Sequence, residues 1–174
     1  MARLSRIVRS KIANPEVGTS EGDWYCQLSA ADEGGAELYR LEHETDLGVH
    51  VVRAQGVRCR TLPEACETLA NALEFPGYYG RNLDAFNECM VDLLDLSVGG
   101  LGSMFGIAGR PVDSLVLMID RADQFMVDES VDRASMLFDI LARAAREKQA
   151  EKQAEFFVAF IGESLPRGLP SRHS

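Results

Sequence analysis

Three short apolar segments are spaced along the chain and are separated by longer stretches with helical spacing. They cover residues 49–54, 115–119 and 156–161, and they are rich in Val, Leu, Ile and Phe. The second and third are continuously apolar, which is typical of strands buried on both faces of a sheet. Strands that alternate with helices indicate a mainly parallel sheet with right-handed crossover connections. The pattern therefore predicts an α/β fold.

Three helices are predicted between these strands. Thr61 and Glu64 have the spacing of a capping box, and the apolar positions behind them keep helical spacing until Pro76 interrupts it. Asn82 is suited to cap a second helix that runs to about residue 96. Asp128 is suited to cap a long third helix, which would connect the second strand to the third.

The first 48 residues differ in character from the rest of the chain. Residues 1–12 sum to a charge of +4, and residues 13–48 sum to −8. Within the acidic part, the runs 24–29 and 36–41 are separated by a segment that contains Ala-Asp-Glu-Gly-Gly, which favours a β-hairpin. We therefore expect an N-terminal extension, residues 1–48, in which a basic arm precedes an acidic hairpin.

The remaining residues divide into a body and a tail. Residues 49–162 carry the alternating strands and helices, with a glycine-rich insertion near residues 97–112. Residues 163–174 contain Pro, Gly and Ser and are expected to form a flexible tail. The expected organisation is one α/β domain, preceded by the extension and followed by the tail.

Charge and composition exclude several classes of function. The chain has 18 Lys and Arg against 27 Asp and Glu, a formal net charge of −9, which argues against broad electrostatic capture of nucleic acid or anionic membrane. No apolar stretch reaches the 18 residues that a membrane-spanning helix needs, and residues 1–15 do not read as a secretory signal. The four cysteines have no metal-binding spacing, so we expect free, packed thiols and a cytoplasmic location: Cys26, Cys59, Cys66 and Cys89.

The predicted second helix carries an unusual acidic face. Asp84, Glu88 and Asp92 are spaced four residues apart, Asp95 falls on the same face, and no Lys, Arg or His lies between residues 82 and 96. Like charges at this spacing cost a helix about 0.2 to 0.5 kcal/mol per pair, and a cationic partner would relieve that cost. Two tyrosines in the preceding turn have the composition of an interface hot spot: Tyr78 and Tyr79.

The residues alone leave three interpretations of this face open. It is an ordinary solvated surface, a partner-binding surface, or a carboxylate site that binds Mg²⁺ or performs acid–base chemistry. Nucleophilic catalysis is disfavoured, because the body has one histidine, His50, and no Gly-x-Ser-x-Gly sequence. The glycine-rich insertion lacks the Gly-Lys-Ser/Thr ending of a phosphate loop. The carboxylate site is the least supported of the three interpretations, and we predict no catalytic residue, no cofactor and no metal ligand.

Residues 62–94 resemble the barstar family, the intracellular protein inhibitors of the bacterial ribonuclease barnase. The resemblance is most specific at Phe-Pro-Gly-Tyr-Tyr-Gly-Arg-Asn-Leu-Asp-Ala-Phe-Asn-Glu-Cys-Met, residues 75–90, and it extends over roughly residues 49–162. It implies a three-stranded parallel sheet packed with helices, in a protein without catalysis of its own. It also implies that the acidic helix and its preceding turn plug a nuclease active site.

The resemblance places family interface positions on this chain. Together with the residues singled out above, the predicted partner-binding set is Tyr78, Tyr79, Asn82, Leu83, Asp84, Asn87, Glu88 and Asp92. Asp84 and Glu88 would then mimic substrate phosphates and pair with the cationic catalytic residues of a nuclease. The implied partner is a basic secreted or toxin ribonuclease of the barnase-like, guanyl-specific kind, and the implied role is that of an immunity protein or antitoxin.

Three departures from the barstar pattern bear on the choice of partner. Glu88 stands where barstar has an aspartate, and Asn87 replaces a tryptophan. A further acidic contact that barstar draws from its later helix aligns near Ala142, a position that carries no carboxylate in this chain. We therefore expect a related but different nuclease. Two alternatives remain at this point: a barstar-like binding module for a non-nuclease partner, and, with less support, a carboxylate- or metal-dependent hydrolase.

Overall fold

A four-stranded parallel sheet forms the centre of the protein. The computed structural model describes residues 24–29, 33–43, 48–106, 112–146 and 153–170. The strands lie in the order β1-β4-β3-β2, and all three neighbouring pairs run parallel. Their bounds are Tyr25–Leu28 (β1), Val49–Gln55 (β2), Ser114–Asp120 (β3) and Glu155–Ile161 (β4).

The described helices connect these strands and cover both faces of the sheet. They are Glu33–Leu41 (α1), Leu62–Ala72 (α2), Leu83–Leu94 (α3), Gly100–Phe105 (α4) and Val131–Arg146 (α5), with 3₁₀ turns at Gly56–Arg58, Leu96–Val98 and Ala122–Gln124. Among the described residues, none of these helices combines the length and the hydropathy that crossing a bilayer would take.

The three strands predicted from apolar runs are confirmed as β2, β3 and β4. Val49 pairs with Ser114, and Ser114 pairs with Glu155, so the three strands are aligned from their first residues. All seven residues of β3 are buried, as expected for a strand with a neighbour on each side and a layer on each face. The α/β class and the parallel sheet are therefore confirmed.

The predicted hairpin in the extension is wrong. Residues 36–41 belong to helix α1, and β1 pairs in parallel with β4, with Tyr25 opposite Val158, so the sheet has four strands instead of three. Leu38 and Leu41, three residues apart, share the buried face of α1, which is helical spacing and not the alternation of a strand. The open edge of β4 supplies unpaired backbone groups, and β1 satisfies them.

The two faces of the sheet carry separate hydrophobic clusters. Leu115, Leu117 and Ile119 of β3 point toward α2, α3 and α5, while Val116 and Met118 point to the opposite face. This follows from the alternation of side chains along a strand. The second cluster contains Leu38 and Leu41 of α1 and Cys26 and Leu28 of β1, so the N-terminal extension contributes directly to the core.

A polar network joins α1 to the ends of the central strands. Asp120, at the end of β3, is 6 % exposed, and its carboxylate accepts from the Tyr39 hydroxyl and from Nε of Arg53, both at 2.5 Å. The Arg53 guanidinium also lies 5.0 Å from the centre of the Tyr39 ring. Burial, followed by the hydrogen bond to Asp120, raises the pKa of Tyr39 to about 12. This network fixes α1 against the sheet.

The structure confirms the predicted start of α2 and corrects the predicted start of α5. Glu64 Oε2 accepts from the backbone N–H of Thr61 at 3.0 Å, which confirms the carboxylate half of the predicted capping box. Asp128 does not cap the long helix, because α5 begins at Val131 and Ser130 Oγ accepts from the Arg133 N–H at 3.4 Å. Asp128 instead binds the Arg60 guanidinium, with its nearest oxygen 2.6 Å from Nε.

The glycine-rich insertion and the segment after β4 both pack on the rest of the domain. Within the glycine-rich insertion, Leu101 of α4 is buried, and the ring of Phe105 stacks on His50 with the ring centres 3.9 Å apart. Residues 107–111 lie outside the described part. After β4, Leu165 and Leu169 contact the larger hydrophobic cluster. The basic arm predicted at residues 1–12 lies outside the described residues.

Candidate functional site

The turn before α3 presents one tyrosine to solvent and packs the other, partly buried, against the core. Tyr78 is 75 % exposed. Tyr79 packs its ring edge-on against Phe75 and Phe86, at centre-to-centre distances of 5.5 and 6.4 Å. Burial, together with the neighbouring Cys66, raises the pKa of Tyr79 to about 12. The two predicted partner-binding tyrosines are therefore placed differently: Tyr79 anchors the turn, and Tyr78 projects from it.

The start of α3 is held by a cap. Asn82 Oδ1 accepts from the backbone N–H of Ala85 at 2.9 Å, and its amide nitrogen donates to the carbonyl of Gly80 at 3.3 Å. Arg81, immediately before the cap, adopts a left-handed backbone conformation with φ 54°. Such a conformation costs a non-glycine residue about 1 kcal/mol or more and is retained where the surroundings enforce it. The direction in which α3 leaves the turn is thus defined locally.

The buried side of α3 orients the helix. Phe86, Cys89, Met90, Leu93 and Leu94 are buried against the core, and Leu83 is half-buried at its edge. Because the apolar positions recur with helical spacing, the polar positions are directed outward as a set. The predicted orientation of the acidic face toward solvent follows from this packing.

The acidic face consists of three exposed carboxylates, Asp84, Glu88 and Asp92. In the part of the chain that the structure describes, none of them accepts a hydrogen bond or forms an ion pair through its side chain. Asp95 is different, since it is half-buried and its Oδ1 accepts from the N–H and the hydroxyl of Ser97 at 2.8 and 2.6 Å. Asp95 therefore serves the 3₁₀ turn after α3.

The structure places a cation beside this face that sequence reasoning missed. Nη2 of Arg143, on α5, donates to Asn87 Oδ1 at 2.5 Å. The two residues are 56 positions apart, and only the packing of α5 against α3 brings them together. The spacing of residues along α3 could not indicate this neighbour, because it relates only residues of the same helix to one another.

Two further features border the predicted surface. Val91 is 47 % exposed and lies four residues after Asn87, so one exposed apolar side chain follows Asn87 along α3. On the other side of the turn, a cleft of about 160 Å³ lies between α2 and the turn, and it is lined by Glu67, Ala70, Asn71, Phe75, Pro76, Gly77, Tyr79 and Arg81.

The described residues offer little for the alternative chemistries. Among them, no group of three or more His, Cys, Asp or Glu side chains is arranged to hold a metal ion. Cys89 is buried, and burial, together with Asp92 and Glu88, raises its pKa. A thiol kept in its neutral form is a poor nucleophile. His50 is half-buried beneath Phe105, and burial lowers its pKa.

Comparison with known proteins agrees with the geometry. The barstar (barnase inhibitor) family model matches residues 49–161, which begins with β2 and ends with β4. A Bacillus subtilis (strain 168) protein, YrdF, named as a candidate ribonuclease inhibitor, is 33 % identical over 67 residues, covering 36 % of this chain and 74 % of YrdF. The family match spans most of the chain and includes the turn and α3. The chain therefore belongs to the barstar family.

Proposed function

We propose that this protein inhibits a basic bacterial ribonuclease by inserting α3 and the preceding turn into the nuclease active site. The observation that carries the proposal is the exposed face of Asp84, Glu88 and Asp92. Among the described residues, no cationic side chain forms an ion pair with any of these three carboxylates. Membership of a family described as barnase inhibitors and similarity to YrdF support the same role.

The chemistry of inhibition follows from charge and shape. A ribonuclease binds the RNA phosphate with cationic side chains, and carboxylates can occupy the same positions through charge-assisted hydrogen bonds. Asp84 and Glu88 lie one helical turn apart, about 6 Å along the axis at a rise of 1.5 Å per residue. Tyr78 adds a large exposed ring at the rim. The protein blocks access to the active site and performs no catalysis itself.

The arrangement lowers the cost of binding because it is already ordered. The Asn82 cap, the packing of the Tyr79 ring on Phe86 and the apolar side of α3 hold the turn and the helix start before a partner arrives. Ordering a flexible segment on binding would reduce affinity. In a cell, such an inhibitor acts as a cytoplasmic immunity protein or antitoxin that protects RNA from the nuclease.

One observation favours a second candidate, a barstar-like module that binds a non-nuclease protein. Asn87 and Arg143 occupy the region where the barstar resemblance implies an aromatic and an acidic contact, and they leave the surface less acidic there. A pull-down from source cells that returns a protein without a basic active site would favour this candidate.

The test is a titration of this protein into a panel of guanyl-specific ribonucleases while RNA cleavage is followed. We expect near-stoichiometric inhibition of at least one member. The double variant Asp84→Lys/Glu88→Lys should weaken that inhibition by about a hundredfold or more, because two charge-assisted contacts at about 1.5–3 kcal/mol each are lost.

A matched control changes the same number of charges elsewhere. Asp132 and Glu163 are exposed carboxylates on α5 and after β4. The double variant Asp132→Lys/Glu163→Lys should inhibit almost as well as the unaltered protein. If both double variants lost inhibition equally, net charge alone would explain the effect. If Asp84→Lys/Glu88→Lys left inhibition unchanged, the proposed surface would be contradicted.

A further inference from the structure

The guanidinium of Arg143 is an exposed group that is nevertheless held in place. It projects from the last turn of α5, and one of its nitrogens donates to Asn87 Oδ1 at 2.5 Å. Asn87 lies on α3 beside Glu88 and three residues after Asp84. The cation is therefore attached to the edge of the acidic face that is proposed to bind the nuclease.

Most of the hydrogen-bonding capacity of this group has no acceptor among the described residues. A guanidinium has five N–H donors in a rigid plane, and the described structure accounts for one of them. Among the described residues, Arg143 forms no ion pair, although Asp139 lies one turn earlier on the same helix and is exposed. Because the group is already oriented, pairing it with a partner loses less side-chain entropy than ordering a free arginine would.

A purely cationic partner surface does not complement this arrangement. The carboxylates of Asp84 and Glu88 attract cations, but the Arg143 guanidinium repels a cation placed opposite Asn87. Like charges opposed at an interface reduce affinity and discriminate between partners. The surface is therefore best matched by a cationic groove whose rim carries a negative group.

We propose that Arg143, positioned by Asn87, is a specificity-determining residue that pairs with a carboxylate on the rim of the partner's cationic active site. This inference rests on the proposed function and adds to it the chemistry of the partner's rim. A ribonuclease with a lysine or arginine at that rim position is discriminated against, and one with an aspartate or glutamate is preferred.

The experiment uses a ribonuclease that the unaltered protein inhibits and compares inhibition constants. Arg143→Glu should weaken inhibition at least tenfold, and Arg143→Gln should weaken it by a smaller factor, because glutamine retains a donor but no charge. Asn87→Ala should weaken inhibition a few-fold by releasing the guanidinium. Far-UV circular dichroism and thermal melting establish that each variant is folded.

The matched control is Arg133→Glu on the same helix. Arg133 is exposed, pairs with Glu129 at 3.4 Å, and lies ten residues, about 15 Å, from Arg143. Its reversal changes the net charge equally and should alter inhibition by less than about twofold. A long-range effect of net charge would change both variants alike.

A charge exchange distinguishes direct pairing from a structural role. Each rim carboxylate of the nuclease is changed in turn to lysine and combined with Arg143→Glu; one combination should restore inhibition at least fivefold relative to Arg143→Glu alone. The inference is overturned if Arg143→Glu inhibits as well as or better than the unaltered protein, or if no combination restores inhibition. In either case the proposed inhibition of a ribonuclease is unaffected. If the unaltered protein inhibits no nuclease in the panel, the proposed function is overturned and this inference falls with it.

Discussion

Tyr78 and Tyr79 are neighbours in the chain, yet their side chains meet opposite environments. Tyr78 is 75 % exposed, whereas the Tyr79 hydroxyl is buried beside Cys66. Two large residues in a turn can divide in this way because one anchors the backbone while the other remains available for contact. At the residue scale, the stiffness of the candidate surface therefore depends on a side chain that does not itself reach far into solvent.

The cysteines are expected to be unreactive in the folded protein. All four are buried and form no disulfide, and burial raises the pKa of Cys59 and of Cys66 to about 11. At pH 8 we expect a thiol-specific disulfide reagent to react only slowly with native protein, and to release four equivalents after denaturation in urea. Fast reaction of the native protein at Cys59 or Cys66 would contradict this.

The raised pKa values of Cys59 and Cys66 also make the stability of the fold depend on pH. Each thiol titrates near 9.0 when unfolded and near 11 when folded, so the folded state favours the neutral form. This contribution is fully present below pH 9 and is lost as the pH rises toward 11. The urea midpoint is therefore expected to fall above pH 9, which is the reason for making the reactivity measurement at pH 8.

At the scale of elements, α3 combines a capped start, a buried apolar side and an acidic side without internal compensation. Each property has a local cause: the Asn82 cap, the recurrence of Phe86 and Met90, and the four-residue spacing from Asp84 to Glu88. The repulsion along the acidic side costs a few tenths of a kcal/mol per pair. The burial of the apolar side is far larger, so it decides the orientation of the helix.

The pair β1 and α1 contributes to the folded domain although it lies outside the family match. Leu38 is fully buried in the second hydrophobic cluster. We expect Leu38→Ala to lower the free energy of unfolding by about 2–5 kcal/mol, since it removes buried methyl groups and leaves a cavity. Urea denaturation followed by circular dichroism measures the change.

A control substitution at an exposed apolar position distinguishes burial from a general effect of lost side-chain volume. Val57 is 43 % exposed, and Val57→Ala should change the free energy of unfolding by less than about 0.5 kcal/mol. If Leu38→Ala had an effect as small as that of Val57→Ala, α1 would not be an integral part of the fold.

At the scale of the whole molecule, the charge distribution bears on how quickly a partner is bound. The net charge of −9 is combined with a cluster of exposed acids on α3. We expect association with a basic nuclease to slow sharply between low and physiological salt, while dissociation changes much less. Stopped-flow fluorescence at several salt concentrations measures both rates.

The variant Asp84→Lys/Glu88→Lys provides the comparison for this prediction. Its association rate should depend less on salt, because charges close to the contact dominate the attraction at physiological ionic strength. An association rate of the unaltered protein that stays constant over the same range would show that electrostatic attraction does not guide the encounter.

Much of the central fold is predictable because its signals are local. The apolar runs that become β2, β3 and β4 and the cap at Asn82 depend on residues within a few positions of one another. The acidic face of α3 is equally local, since helical geometry alone aligns residues four apart. The segment 75–90 adds a specific resemblance, and the family match confirms it.

Other features depend on contacts between distant segments and were missed or wrong. Asp128 is a good cap by type, but Ser130 takes that place because Asp128 is bound to Arg60. The run at 36–41 is helical because Leu38 and Leu41 find a sheet face to cover, and β1 pairs with β4 because that edge is open. Local pattern cannot indicate which distant edge or face remains uncovered.

Local pattern along the chain is enough to predict the α/β class, the three central strands, the capped acidic helix and the likeness to barstar. Contacts between distant segments add β1 as a fourth parallel strand, bury the Tyr79 hydroxyl while Tyr78 stays exposed, and bring Arg143 to Asn87. The two kinds of feature differ in range, because capping and periodicity act over about one helical turn, whereas strand pairing and helix packing depend on groups brought together from anywhere in the chain.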